Sequence, residues 1–238
     1  MDGRAQRTKR GLTGWLRLVF KLACLIFLAL HVYALALKFV PAPPTVTMAQ
    51  RVIEGYHVRR NWTPLEDFSP HMIRAVIAAE DSLFCAHKGI DIEAVQKAVE
   101  EAAQGRRQRG ASTITQQTAK NVFLWNGGGM PRKAGEAWLA SFIDYAWGKR
   151  RVMEVYLNVA EWGDGLFGAE AAALVWFAKP ASELTAREAA YLAAVLPSPN
   201  KWRLDPPGPY VRQRAATLQA RMRNVERDGL ADCVLGSG

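Results

Sequence analysis

Cysteine is scarce in this chain. Cys24, Cys85 and Cys233 stand far apart, and no pair has the short spacing of a metal site or a disulfide framework. Cys85 is therefore expected to be a small buried apolar residue. Acidic residues are nearly missing from the N-terminus, where Asp2 alone is set against Arg4, Arg7, Lys9, Arg10, Arg17 and Lys21. That segment supplies +5 of the formal net charge of +9 and leaves +4 for the rest. The basic excess thus belongs to a tail, not to a folded face. With no zinc-finger or RNP-type motif, it argues against a nucleic-acid partner. No stretch alternates at period two and no internal repeat occurs, so the chain reads as all-α.

What the N-terminus does have is a long apolar run over 18–40, broken by Lys21, His31 and Lys38. As a helix it spans roughly 35 Å, enough for a bilayer core of roughly 30 Å. Lys21 and Lys38 sit near its ends, where their stems can reach the interface. The segment is read as an uncleaved transmembrane helix. A cleaved signal peptide is the rival, since Ala34-Leu35-Ala36 fits a cleavage pattern. The basic residues precede the run, so a tail over 1–17 is expected in the cytoplasm and the remainder outside. Pro41-Ala42-Pro43-Pro44 makes a stiff spacer over 41–47. A folded domain is expected over 48–230 and a short tail over 231–238.

Helices joined by short loops fill that domain. Ser69 and Pro70 form a cap and first-turn pair, followed by Ile73, Val76 and Ile77 up to Glu80. Ile92, Val95 and Val99 mark a second helix, and a third runs from near Thr113 through Val122. Gly127-Gly128-Gly129 precedes Pro131, which opens a long helix through Trp147. Val152, Val155, Tyr156 and Val159 mark another. Thr185 with Glu188 is a capping box for the helix that Pro197 stops, and Pro209 opens the last one.

The densest chemistry lies in Gly110-Ala111-Ser112-Thr113-Ile114-Thr115-Gln116-Gln117-Thr118-Ala119-Lys120-Asn121. Five of six consecutive side chains, Ser112 to Gln117, can hydrogen-bond, and Arg106, Arg107 and Arg109 stand just upstream. Hydroxyls and carboxamides beside cations suit a polyhydroxy, anionic ligand such as a sugar phosphate. Read alone, the run is equally a capped, solvated helix start.

Three further blocks accompany it: Ala79-Glu80-Asp81-Ser82-Leu83-Phe84-Cys85-Ala86-His87-Lys88-Gly89, then Arg132-Lys133-Ala134-Gly135-Glu136, then Tyr156-Leu157-Asn158 with Gly163 and Gly168. In this order and spacing the four blocks resemble the peptidoglycan glycosyltransferases, the transglycosylase module of penicillin-binding proteins. Few residues follow Leu230, so the monofunctional biosynthetic type is the nearer likeness. The resemblance implies a lysozyme-like helical domain that joins lipid-linked disaccharide-peptides (lipid II) into glycan strands with release of polyprenyl diphosphate. A lysozyme-like lytic enzyme and a non-catalytic cell-wall assembly partner are the alternatives.

Roles follow from the match. Glu80 is the expected general base for the acceptor hydroxyl, and Glu136 a second active-site carboxylate that either holds Arg132 or binds a divalent ion (Mg or Mn) on the diphosphate. Lys120 and Arg132, with Lys133 beside them, are expected to neutralise the leaving diphosphate. Thr113, Gln116 and Gln117 are expected to hold sugar or phosphate oxygens, and Ser112 to cap the helix. Asp81 either orients Glu80 or caps a turn. His87 either hydrogen-bonds the backbone of the next loop or, with Asp81, belongs to the substrate-binding set. Phe84 and Gly89 shape the site from the core, and Asn158, Gly163 and Gly168 serve helix stop and close packing. Glu154 and Arg150 are candidates for the cleft wall, though more often such residues are surface. Relatives usually carry another basic residue where this chain has Gly127-Gly128-Gly129. The expected partners are the lipid-linked precursor, the growing strand, the inner membrane, and other cell-wall synthesis or division proteins.

Overall fold

The computed structural model describes residues 3–105 and 110–236, with side chains from Gly14 onward. Arg106, Arg107, Arg109 and the side chains of Arg4, Arg7, Lys9 and Arg10 lie outside the described residues. The chain divides into two units, Met1–Val40 and Pro41–Gly238.

The first unit is one helix, α1 (Gly3–Ala36). Its stretch Gly14–Ala36 has mean hydropathy 2.3 and the length for a single membrane pass. Within it His31 donates from Nδ1 to the Phe27 carbonyl at 2.7 Å, which satisfies one ring nitrogen without water. The helix stops short of the expected end at residue 40, because residues 37–39 form a turn ahead of the proline-rich spacer.

The second unit is helical with one small sheet. The spacer is shorter than expected, because Thr45 caps a helix, α2 (Val46–Ile53), by accepting from the Met48 amide. After β1 (Arg59–Arg60) comes α3 (Pro70–Glu80). Ser69 caps it, Pro70 supplies the fixed first-turn φ, and Met72, Ile73, Val76 and Ile77 are all buried. Each such side chain stabilises the fold by about 1.5–3 kcal/mol, which fixes the ramp that delivers Glu80.

The chain continues through α4 (Ile92–Ala103), α5 (Ile114–Phe123) and α6 (Gly129–Val159). Gly148, at φ 76°, breaks α6 into the two stretches the sequence suggests. Then come β2 (Glu161–Gly163), β3 (Leu166–Phe167), α7 (Ala169–Phe177), α8 (Ala186–Val195), α9 (Pro209–Arg227) and α10 (Asp232–Leu235). α8 packs on α3 and α9, while α5 lies along α6. The capping box of α8 forms as read, with the Glu188 carboxylate accepting from the Thr185 amide at 2.9 Å. The sheet order is β1-β3-β2, parallel then antiparallel. Its strands are too short to show alternation, so periodicity could not reveal them. The turn after α8 spells Ser198-Pro199-Asn200-Lys201, which matches the S-x-x-K of transpeptidases in letters only, since Lys201 is exposed and the four residues form no helix.

One reading needs correction at the C-terminus. Cys85 is bonded to Cys233 across 148 residues, so Cys85 is not a free apolar residue. The expected tail has structure over its described residues 231–236. It carries α10, Val234 is buried, and the Val234 carbonyl accepts from the Arg150 guanidinium. Reduction of the bond, or a Cys85→Ala, Cys233→Ala double variant, is expected to lower stability by about 2–5 kcal/mol. Denaturant melts with and without reductant measure this, and an unmoved midpoint would count against a stabilising role.

Candidate active site

Glu80 ends α3 and stands partly buried at the start of the loop that carries the disulfide. The next residue organises its surroundings. The Asp81 carboxylate accepts from the Ile114 amide at 3.0 Å and from His87 Nε2 at 3.0 Å. Asp81 is thus a cap on the N-terminus of α5, where a carboxylate also suits the helix dipole. His87 bonds that carboxylate and not a backbone loop. Phe84 is fully buried edge-on to His87. Gly89 has φ 83°, and a Cβ there would stand 2.8 Å from the Ala140 carbonyl, so only glycine lets this loop lie against α6.

The hydroxyl-rich run resolves differently from expectation. The N-cap of α5 is Thr113, not Ser112. Thr113 accepts from the Gln116 amide and Gln116 Oε1 accepts from the Thr113 amide. Thr113 also donates to the Gly89 carbonyl at 2.6 Å. Both residues are 3 % exposed, and Thr113 also lines the groove that holds Glu80. The spelling Thr113-x-x-Gln116 fits a capping box and Ser112-x-x-Thr115 does not. Ser112 instead accepts from Lys133 Nζ at 2.8 Å.

Gln117, one position on, does reach the site. Its Nε2 donates to Glu80 Oε2 at 2.8 Å, and its Oε1 accepts from the Tyr156 hydroxyl at 3.3 Å. Burial pushes the Glu80 carboxyl above the ordinary glutamate range, and neighbouring Asp81 adds to this. The Gln117 hydrogen bond and the charge of Arg214 on α9 oppose it. A base poised nearer neutrality is the result.

Lys120 lies one helical turn beyond Gln117, so the two share a face. Both line a polar cavity of about 250 Å³ with Arg51, Asn121, Tyr156 and Glu161. Glu80 lines a separate groove of about 260 Å³ with Ser82, Asp91 and Ser112. Gln117 therefore bridges the two, lining one and bonded to a wall of the other. Burial lowers the Lys120 ammonium below the ordinary lysine range. Glu136 counteracts this, and Arg132 and Lys133 reinforce it. The largest described cavity, about 440 Å³, lies around Trp176 and Trp202, and of the expected site residues only Gly163 lines it.

Arg132 and Lys133 close on Glu136 from two sides. Arg132 Nη1 pairs with Oε2 at 2.5 Å, Lys133 Nζ pairs with Oε1, and the Glu136 side chain is 3 % exposed. Arg132 also donates to the Gly127 carbonyl, so the triple-glycine turn orients the guanidinium through its backbone. Glu136 is fully engaged as a cation holder. With both oxygens paired, and with no group of three metal-ligating side chains among the described residues, the protein residues do not form a cation site there.

The remaining expected residues are architectural in their contacts. Asn158 is fully buried and closes both ways onto Thr63, accepting from its amide and donating to its carbonyl at 2.8 Å each. Gly168, at φ 89°, lets the chain turn against the Asn158 backbone, and Gly163 packs on Leu166. Arg150 pairs with exposed Glu66, and Glu154 with Arg151, so neither lines the Lys120 or Glu80 cavities. Sequence reasoning missed Arg51 and Glu161, paired at 2.9 Å across the Lys120 cavity, with burial raising Glu161. Neither has a local signal. Tyr156 had one, since it opens the block ending in Gly168.

A partly desolvated carboxylate linked through Gln117 to the cavity of half-buried Lys120, on a helical scaffold, suits glycosyl transfer from an anionic donor. The chain belongs to the transglycosylase family, whose model, described as Transglycosylase, matches residues 47–223. It is 52 % identical over 216 residues to a biosynthetic peptidoglycan transglycosylase of Rhodospirillum centenum, covering 90 % of this chain and 94 % of that protein. Proteins of the same description from Caulobacter vibrioides and Ectopseudomonas mendocina are 48 % and 45 % identical. They are covered over 97 % and 89 % of their lengths, and this chain over 92 % and 88 %.

Proposed function

We propose that this chain polymerises lipid-linked disaccharide-peptide into glycan strands, releasing polyprenyl diphosphate. Glu80 takes the proton of the acceptor hydroxyl as it attacks the anomeric carbon of the donor sugar. Lys120, Arg132 and Lys133 stabilise the charge that develops on the departing diphosphate. Glu136 holds Arg132 and Lys133 in place. The observation that carries this reading is Gln117, which bonds Glu80 while lining the cavity of Lys120. It joins the proposed base and the proposed anion cradle in one side chain. A lytic enzyme needs a protonated carboxyl at a glycosidic oxygen and no cradle for diphosphate, and a non-catalytic partner needs neither.

The apolar helix is the anchor, and the domain after it lies on the periplasmic side of the inner membrane. The N-terminal cations support that orientation. So does the Cys85–Cys233 bond, since disulfides persist where the compartment is oxidising. Incubation of the purified full chain with labelled lipid-linked precursor is expected to give polymer. Release of muropeptides from finished strands would favour the lytic reading, and neither product the non-catalytic one. A reporter fused after Gly238 is expected to be active only when exported, and cytoplasmic activity would overturn the orientation.

A further inference from the structure

We infer that Tyr156 is a positioning residue for Glu80, acting through the side-chain amide of Gln117. The inference rests on the reading of Glu80 as base.

Tyr156 stands in the second stretch of α6 and is completely buried. Its hydroxyl is 3.3 Å from Gln117 Oε1, and Gln117 Nε2 is 2.8 Å from Glu80 Oε2. A carboxylate can only accept, so an ionised Glu80 requires the NH₂ end of the amide. The oxygen end then needs a donor, and the phenol provides it. The reverse orientation would set amide oxygen against carboxylate oxygen.

Suppose instead that Glu80 gains the acceptor's proton. Its O–H can now donate to Gln117 Oε1, and Gln117 Nε2 can turn to the phenol oxygen, because a phenol both donates and accepts. The three side chains thus have two fully bonded arrangements, one for each state of Glu80. Removal of the hydroxyl leaves the amide with nothing to direct it.

The charged and titratable groups that face Glu80 are Asp81 beside it, Arg214 on α9 and Tyr156 on α6. Asp81 favours the protonated carboxyl and Arg214 the ionised one. Tyr156 does not titrate in the working range. Burial, with Glu80 and Asp81 nearby, holds its phenol well above the ordinary tyrosine range. Its role is that of a hydrogen-bond director. Phenylalanine keeps the ring and its packing, so Tyr156→Phe isolates the hydroxyl.

The test is the pH dependence of kcat/KM for polymerisation by the full chain, in wild type, Tyr156→Phe, Gln117→Leu, the double variant and Glu80→Gln. Losing one neutral hydrogen bond to the carboxylate raises its pKa, so the acidic limb moves to higher pH by about half to one pH unit. Tyr156→Phe is expected to show that shift and to recover turnover above the limb. Gln117→Leu is expected to move the limb at least as far, and the double variant no further than Gln117→Leu. Lost turnover with an unmoved limb would mean packing alone and overturn the proposal. So would a Tyr156→Phe shift that persists in the Gln117→Leu background. Should Tyr156→Phe fail to fold by thermal melt, an unmoved limb in Gln117→Leu overturns it. Near-normal rates in Glu80→Gln would instead remove Glu80 as the base, and this inference with it. A dead Glu80→Gln with an unmoved Tyr156→Phe limb refutes only the present proposal.

Discussion

Glu80→Gln is expected to lower turnover by about 10²–10⁴-fold while keeping the fold and the affinity for lipid-linked substrate. Glutamine has nearly the shape of glutamate and still hydrogen-bonds, but it does not take up a proton at neutral pH. Gln117 can still donate to the new carboxamide oxygen at the position where it now meets Glu80 Oε2, so the geometry survives and the proton acceptor does not. Glu136→Gln is a different perturbation. It removes the negative charge between Arg132 and Lys133 but leaves an oxygen for one of them. It is expected to retain more activity than Glu80→Gln and to lose it mainly through weaker donor binding. Polymerisation near the wild-type rate in Glu80→Gln, with a dead Glu136→Gln, would exchange the two roles.

Lys120→Ala is expected to slow polymerisation roughly tenfold to over a hundredfold, since charge-assisted contacts to a buried anion are typically worth about 1.5–3 kcal/mol. Among the described residues Lys120 forms no direct ion pair, whereas Arg132 and Lys133 both bond Glu136. Its ammonium is therefore the cation least committed to the protein, inside a cavity of matching polarity. The sign of its pH dependence follows from its environment. Burial favours the neutral amine, so Lys120 loses its proton below the ordinary lysine range. The alkaline limb of kcat/KM, which reports the free enzyme, should fall in that lowered range. Lys120→Arg is expected to remove the limb, because guanidinium does not titrate there, without restoring full activity, because a planar fork does not replace a compact ammonium. A full rate in Lys120→Ala on a folded background would take this residue out of the donor site.

The site was legible where its chemistry is written in consecutive residues. Glu80 followed by Asp81, Phe84, His87 and Gly89 forms one loop, in which Phe84 and Gly89 pack as read while His87 bonds Asp81 and Cys85 bonds Cys233. Local rules also worked for helix starts, at Ser69-Pro70 and at Thr185 with Glu188. What escaped the sequence is pairing at a distance. Cys85 and Cys233 are 148 residues apart, and nothing in their neighbours signals a bond. Arg51 on α2 and Glu161 on β2 stand 110 residues apart, and nothing in their neighbours signals the pairing. Thr113 and Gln116 also fill a local role that their spelling carries, the capping box of α5. Two polar side chains in a ligand-like run turned out to satisfy each other's backbone. The bond from Tyr156 to Gln117 needs both α5 and α6 in place before it exists.

The most direct test of the account is the kcat/KM pH profile of the full chain on lipid-linked precursor, in wild type and in Glu80→Gln. A desolvated general base predicts an acidic limb above the ordinary glutamate range in wild type. It also predicts that the limb is absent from whatever activity Glu80→Gln retains. An acidic limb that survives unchanged in Glu80→Gln would contradict the account, because the proton would then be leaving the acceptor hydroxyl through another group.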